Sequence, residues 1–92
     1  MLNLKNFKHI HCIGIGGIGL SAIAEIFIAR GYQVSGSDMK ESDITDKLIK
    51  KGVVIYFDHS EKNIEGADLV VYSSAVSPDN PERVAAMISG IP

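Results

Sequence analysis

Gly14-Ile15-Gly16-Gly17-Ile18-Gly19 is the stretch that decides the fold of this 92-residue chain. It follows a short apolar run, His9–Ile13, and precedes a longer one at residues 20–30. A strand, a glycine turn and a helix in that order form the context in which G-x-G-x-x-G predicts a nucleotide-binding unit. The free N–H groups and the dipole at the start of the helix favour an anion, so the stretch predicts a binding site for phosphate.

The three glycines of this pattern have different predicted roles. Gly14 permits a tight turn off the strand, Gly16 lets a phosphate approach bare backbone, and Gly19 lets the helix pack closely on the strand. Gly17 is additional to the pattern. The loop alone indicates a phosphate of some nucleotide and does not select one nucleotide over another.

The composition is that of one small soluble domain. Apolar residues make up 46% of the chain and charged residues 22%, and the net charge of −2 without a basic patch argues against a nucleic-acid partner. Residues 1–8 lack the apolar core of a signal peptide, and the apolar stretch at 18–29 is too short to span a membrane. The only cysteine, Cys12, is expected to be a core residue of a protein in a reducing compartment, the cytoplasm.

The rest of the chain alternates between strand and helix patterns. Strands are predicted at 8–13, 33–37, 53–57 and 69–73, helices at 17–29, 43–51 and from Pro81, and a short helical turn at 60–65. This order predicts an α/β, Rossmann-like three-layer domain with a parallel, doubly wound sheet in the order 3-2-1-4. A fifth strand is expected to start at Gly90-Ile91-Pro92, which suggests a domain from a longer protein.

Polar residues follow the other predicted strands. Ser37-Asp38 closes the second strand, His59 follows the third, and Ser73-Ser74-Ala75 closes the fourth. Ligands of open parallel sheets lie at the carboxyl ends of the strands, so these residues are expected near the glycine loop. Asp38 stands 24 positions after Gly14, where dinucleotide-binding domains keep the acid for ribose hydroxyls; the alternative is a loop or helix cap. For His59 the alternative is an ordinary surface histidine.

The sequence shows no recognisable catalytic motif. It has no nucleophile beside a base, no paired carboxylates and no G-x-x-x-x-G-K-[ST] loop. His9 and His11 lie two positions apart on one face of the first predicted strand, without a third ligand nearby in the sequence. We therefore expect them to be partly buried strand residues and not metal ligands. We predict no catalytic and no metal-binding residues. Two classes stay open: the NAD-binding domain of an oxidoreductase, and a module that binds a nucleoside diphosphate substrate for catalysis elsewhere.

Longer segments of the chain resemble the opening of the Mur ligase family. They comprise residues 11–24, 31–38, 52–59 and 71–76, together with Asn80-Pro81-Glu82. The resemblance runs from His9 to Pro92, and Ser35-Gly36-Ser37-Asp38 and Ser73-Ser74-Ala75-Val76 make it far more specific than the glycine loop alone. The chain is most similar to members that join L-alanine to UDP-N-acetylmuramate. Members that recycle peptides onto the same sugar nucleotide are the nearest alternative.

This resemblance implies a three-domain, ATP-dependent ligase of peptidoglycan synthesis, of which the chain is the first domain. The first domain holds the UDP end of UDP-N-acetylmuramate, the central domain binds ATP and Mg²⁺, and the third helps bind the amino acid. The lactyl carboxylate is activated as an acyl phosphate, which the amine of L-alanine attacks. The resemblance therefore implies that this chain is inactive alone and has no cofactor of its own.

The resemblance also assigns substrate contacts. It places the diphosphate on the glycine loop, and uridine and phosphate contacts on the residues that close the other strands. The substrate-binding residues so implied are Gly14, Ile15, Gly16, Gly17, Ile18, Gly19, Ser37, Asp38, His59, Ser73, Ser74 and Ala75.

Overall fold

A computed structural model describes residues 7–92 of the chain. Within them lie strands β1 (His9–Ile13), β2 (Gln33–Ser37), β3 (Val54–Tyr56) and β4 (Leu69–Tyr72), helices α1 (Ile18–Ala29), α2 (Asp43–Lys50) and α3 (Pro81–Ser89), and a 3₁₀ helix at Glu61–Ile64. The strands pair in parallel in the order β3-β2-β1-β4. This arrangement confirms the predicted fold class and strand order.

The two faces of the sheet are covered by different helices. Alternate residues of a strand point to opposite faces, and on β1 the side chains of Ile10 and Cys12 join the core under α1 and α2. Ile13 joins a second core formed with the 3₁₀ helix and α3. His11 has the same parity as Ile13, so it lies on the α3 face. The central strand therefore contributes an apolar surface to one face and a mixed, polar surface to the other.

The predicted boundaries differ from the observed ones by at most one residue at each end, for local reasons. Residue 53 is outside β3 because its N–H donates to the carbonyl of Leu48 and closes the turn after α2. The strand predicted at 69–73 ends at Tyr72 because the carbonyl of Ser73 accepts the N–H of Val76 and starts a turn. Gly31, at φ +88°, follows α1 as predicted for a glycine that ends a helix.

Both later helices begin at side-chain caps. The hydroxyl of Ser42 accepts the N–H of Thr45, and the Thr45 hydroxyl accepts the N–H of Ser42, which makes a reciprocal capping box for α2. Asn80 caps α3 through the N–H of Glu82, with Pro81 in the first turn. The caps fix where α3 starts, and this matters below because Glu82 lies in its first turn.

Helix α1 keeps apolar side chains on its outer surface. Ile18, Ile23 and Ile26 are exposed although the helix packs on the sheet through Leu20 and Ala24. None of the helices in residues 7–92 has the length and apolarity needed to cross a membrane.

The carbonyl of Pro92, the last described residue, accepts the N–H of Val70. Pro92 therefore lies beside the edge of β4 that does not pair with β1. The fifth strand itself stays a prediction.

Candidate functional site

The glycine loop lies directly on the carboxyl end of β2. The N–H groups of Gly14 and Ile15 both donate to the carbonyl of Ser37, at 2.8 and 3.0 Å. The N–H of Gly16 donates to Oδ2 of Asp38 at 2.9 Å. The loop and the Ser37-Asp38 pair are therefore one hydrogen-bonded unit, as the shared sheet edge predicts.

The glycines of the loop do not all have their predicted roles. Gly14 has φ +80°, which confirms its role in the tight turn. A Cβ on Gly16 would lie 2.7 Å from Oδ2 of Asp38, so this glycine makes room for a carboxylate, and the approach of a phosphate to it stays a prediction. The prediction for Gly19 is wrong: a Cβ there would meet no atom within 4 Å, because the residue is exposed and stands away from the strand.

The start of α1 offers uncapped backbone donors. Gly17 is its N-cap, no side chain caps it, and the first turn contains no acidic residue. The N–H of Gly17 donates to the carbonyl of Gly14, which leaves Ile18, Gly19 and Leu20 as the first-turn donors without an intrahelical acceptor. Uncapped N–H groups and the helix dipole at such a position favour a negative charge, so these three N–H groups are the candidate contacts for an anion.

Ile15 belongs to the core and not to the surface of the loop. Its side chain is fully buried between the sheet and α1, and its N–H is already bonded to Ser37. A Cβ on Gly36 would lie 2.6–2.8 Å from the Ile15 side chain. The close approach that a glycine inside β2 predicts is thus made by Ile15.

Asp38 is placed as a cap of the glycine loop. Besides the Gly16 bond, its Oδ1 accepts the N–H of Lys40 at 3.1 Å, and its own N–H donates to the carbonyl of Tyr56. Each carboxylate oxygen has two acceptor sites, so these contacts leave capacity for ribose hydroxyls. The carboxylate is partly exposed at the sheet edge.

The segment after β4 lies on the other side of the glycine loop. Ser73, Ser74 and Ala75 are exposed, and the side chain of Val76 lies 3.5 Å from the Cβ position of Gly14. Arg83 of α3 anchors this segment, donating to the carbonyl of Val76 at 2.9 Å and stacking on the ring of Tyr72 at 4.0 Å. Three of the predicted strand-end segments therefore border one surface.

Sequence reasoning missed Glu82, which lies beneath this surface and is fully buried. Its Oε1 accepts from Nε2 of His11 at 2.5 Å and from the Ser37 hydroxyl at 2.8 Å. Its Oε2 accepts from Nδ1 of His59 at 3.0 Å, from the N–H of Ser60 at 3.3 Å and from the amide of Asn63 at 3.3 Å. One carboxylate thus ties together β1, β2, α3 and the segment after β3.

The hydrogen bonds of Glu82 decide its charge. Burial is the largest single influence and opposes ionisation, but the hydrogen bonds from His11, Ser37 and His59 together outweigh it and lower the pKa of the carboxyl. Glu82 is therefore a carboxylate at neutral pH. No buried side-chain nitrogen or oxygen in the described part of the chain lacks a hydrogen-bond partner.

This cluster changes the interpretation of two predicted residues. Ser37 is fully buried and its hydroxyl donates to Glu82, so it supports the sheet edge from below. His59 keeps 22% of its side chain exposed, with Nδ1 turned inward to Glu82 and, at 3.2 Å, to Ser37. Glu82 was missed because an acidic residue in the first turn of a helix is explained by the dipole alone. Its place in Asn80-Pro81-Glu82 was the only signal.

Two further expectations concern thiol and metal chemistry. Cys12 is buried in the core as predicted, and burial raises the pKa of its thiol to about 12, which leaves it unreactive. His11 is buried and bonded to Ser35 and Glu82, as expected of a strand histidine but with full burial in place of partial burial. Residues 7–92 contain no group of three potential metal-binding side chains.

Comparison with known proteins identifies a family that covers most of the chain. Residues 9–92 match the family described as "Mur ligase family, catalytic domain". A UDP-N-acetylmuramate–L-alanine ligase of Acetivibrio thermocellus is 56% identical over 92 residues, which are 100% of this chain and 20% of that protein. The crystal structure of a UDP-N-acetylmuramate-alanine ligase of Thermotoga maritima superimposes with a TM-score of 0.89 at 42% identity, over 95% of this chain and 20% of that one.

A murein peptide ligase of Psychrobacter arcticus is also similar, with a TM-score of 0.84 at 27% identity, over 91% of this chain and 18% of that one. The chain spans about a fifth of the length of these relatives.

Proposed function

Because this chain belongs to the Mur ligase family, we propose that it binds the UDP moiety of UDP-N-acetylmuramate for the ligation of L-alanine. The observation that carries the proposal is the 56% identity, along the whole chain, to a UDP-N-acetylmuramate–L-alanine ligase. The lower identity of 27% to a murein peptide ligase supports this choice over the peptide-recycling branch.

The diphosphate binds at the start of α1. The N–H groups of Ile18, Gly19 and Leu20 point from an uncapped helix end that has no acidic residue in its first turn. The remaining N–H groups of the loop are already bonded, those of Gly14 and Ile15 to Ser37. We therefore narrow the predicted phosphate contact from the whole loop to its last residues, with the other glycines shaping the turn.

The uridine end lies along the neighbouring strand ends. Asp38 has unused acceptor capacity for ribose hydroxyls, and His59, which contacts Ser37, is partly exposed. Ser73, Ser74 and Ala75 form the exposed wall on the other side of the glycine loop. These residues recognise and orient the nucleotide, and the reacting lactyl carboxylate extends beyond this chain.

The chemistry takes place in other domains of a longer protein. The chain spans about a fifth of the ligases that it resembles, which supports the proposal that a central domain binds ATP and Mg²⁺ and that this chain alone is inactive. The central domain of the same polypeptide is the expected partner of the sheet edge. ATP and the nucleotide substrate are cytoplasmic compounds, so we place the reaction in the cytoplasm.

Calorimetric titration tests the proposal with UDP-N-acetylmuramate, UDP and NAD as separate ligands. We expect both uridine nucleotides to bind and NAD not to bind. Binding of NAD without binding of either uridine nucleotide would favour the oxidoreductase class and overturn the proposal.

A Gly19→Asp variant separates affinity from folding. An acid in the first turn complements the helix dipole and keeps the fold, but it repels a diphosphate at the same N–H groups, so the affinity for UDP falls by about tenfold or more. The matched control is Ala22→Asp, which adds the same charge at an exposed position one turn further along α1. Equal affinities of the two variants would show that the diphosphate binds elsewhere.

A further inference from the structure

We infer that Glu82 is a positioning residue that holds His59 in the Nδ1–H tautomer, so that Nε2 offers a lone pair to a donor on the nucleoside. The inference rests on the proposed function, because it concerns the same ligand edge. It assigns a task to a carboxylate that is fully buried and therefore out of reach of the ligand itself.

The assignment follows from a count of donors around Glu82. An ionised carboxylate only accepts hydrogen bonds. The N–H of Ser60 and the amide nitrogen of Asn63 can only donate, and the Ser37 hydroxyl donates to Oε1. The contact of 3.0 Å between Oε2 and Nδ1 of His59 therefore requires a hydrogen on Nδ1.

The same reasoning fixes the inner histidines and gives a consistent network. Nε2 of His11 lies 2.5 Å from Oε1 and must carry its hydrogen, which leaves Nδ1 to accept from the Ser35 hydroxyl at 2.7 Å. Ser35 is then free to accept from Nε2 of His9, also at 2.7 Å. Each hydrogen bond in the series His9, Ser35, His11 and Glu82 is then donated toward the carboxylate, and every donor in the series has an acceptor.

The outward nitrogen of His59 is the one available to a ligand. Nε2 makes no hydrogen bond within residues 7–92, and no buried side-chain nitrogen there lacks a partner, so this atom reaches the surface. In a neutral imidazole with Nδ1–H, Nε2 is an acceptor. It therefore selects an N–H or O–H group, which on a uridine nucleotide is the uracil imide or a ribose hydroxyl, and it does not favour a carbonyl or phosphate oxygen.

The first experiment measures the tautomer in the unmodified chain without ligand. Long-range ¹H–¹⁵N correlation spectra at about pH 8.5, above the range in which histidines ordinarily titrate, distinguish the two forms of each imidazole. We expect Nδ1–H for His59 and Nε2–H for His11. Nε2–H on His59, the form that imidazole prefers in water, would overturn the inference.

The second experiment removes the carboxylate with Glu82→Met, and Glu25→Met at a half-exposed glutamate of α1 is the control. Without Glu82, the Ser37 hydroxyl is free to donate to Nδ1, and His59 is expected to change to Nε2–H. An unchanged His59 in a folded variant, with dispersed amide signals, would overturn the role of Glu82. If the variant does not fold, the measurement on the unmodified chain still decides the tautomer.

The third experiment tests the ligand with UDP, N3-methyl-UDP and 2′-deoxy-UDP. We expect the unmodified chain to lose about tenfold in affinity for the analogue that lacks the recognised donor, and folded Glu82→Met to lose this discrimination. A purely structural role would weaken all three ligands equally and keep the discrimination, which would overturn the inference. Failure of the unmodified chain to bind any of the three nucleotides would instead overturn the proposed function. It would leave the role of Glu82 open to test, because the tautomer of His59 is measured without ligand.

Discussion

Replacing Gly36 with alanine tests how the glycine loop is seated on the sheet. The added Cβ would lie 2.6 Å from Cδ1, 2.7 Å from Cβ and 2.8 Å from Cγ2 of Ile15. Carbon atoms ordinarily approach to about 3.5–4.0 Å, so each contact is too short by roughly 0.7 Å or more. Rotation of the Ile15 side chain cannot relieve the contact to its Cβ, which is fixed by the backbone.

The cost follows from what has to move. Ile15 is fully buried, and its N–H is bonded to the carbonyl of Ser37, so the loop must lift from β2. Overpacking of a core costs about 1–3 kcal/mol, and the backbone contact places Gly36→Ala near the upper end. The stiffer unfolded chain offsets about 0.4–1 kcal/mol of this. We expect a net loss of about 2 kcal/mol, which lowers the melting temperature by roughly 8–16 °C in a domain of this size.

Thermal and urea unfolding followed by circular dichroism measure this loss. Gly19→Ala is the matched control, because the same added methyl group meets no atom within 4 Å and lies in a helix, where alanine stabilises by up to about 1 kcal/mol. The two substitutions should therefore change stability in opposite directions. A Gly36→Ala chain as stable as the wild type would refute the close seating of Ile15 on β2.

Three further predictions concern single side chains. Asp38→Ala removes a charged acceptor to which the backbone N–H groups of Gly16 and Lys40 donate, so we expect a loss of about 1.5–3 kcal/mol in the free energy of urea unfolding and weaker binding of UDP-N-acetylmuramate. Unchanged affinity would contradict the role of Asp38 in ligand binding, and unchanged stability would contradict its role as a cap. Cys12 should resist iodoacetamide at about pH 8 until the chain is unfolded, since its thiol pKa is about 12; rapid labelling of the native chain would contradict its burial. The pKa of Glu82 is lowered in the folded chain, so its stabilising contribution is complete above the ordinary pKa of 4.5 and is lost as the pH falls through the lower, folded-state value. The free energy of urea unfolding of Glu82→Gln should therefore depend less on pH below about 4.5 than that of the wild type. Parallel pH curves for the two proteins would contradict this.

The fold was predictable because its signals are local. The apolar run of β1, the glycine loop and the caps at Ser42 and Asn80 each specify an element from neighbouring residues. Their alternation then leaves few topologies, and the observed strand order is one of them. The convergence of the glycine loop and Asp38 follows from the rule that parallel strands end at a common edge.

The interior of the site was not predictable because its contacts are long-range. Glu82 and His11 are 71 positions apart, and no local pattern indicates that a first-turn glutamate faces a strand histidine. The prediction that Gly19 lets the helix pack closely on the strand was wrong for a related reason. The spacing of a motif does not show the distance between the start of a helix and the strand before it. A glycine inside a strand is typical of a close approach, but only the structure shows that Ile15 makes this approach at Gly36.

Residue-resolved NMR titration with UDP-N-acetylmuramate tests the central claim most directly. The account predicts that the largest amide shifts occur at Ile18, Gly19 and Leu20, the first-turn donors that no protein group caps, and that UDP alone reproduces them. Shifts confined to other surfaces, or shifts at these three residues with NAD and not with UDP, would contradict the account.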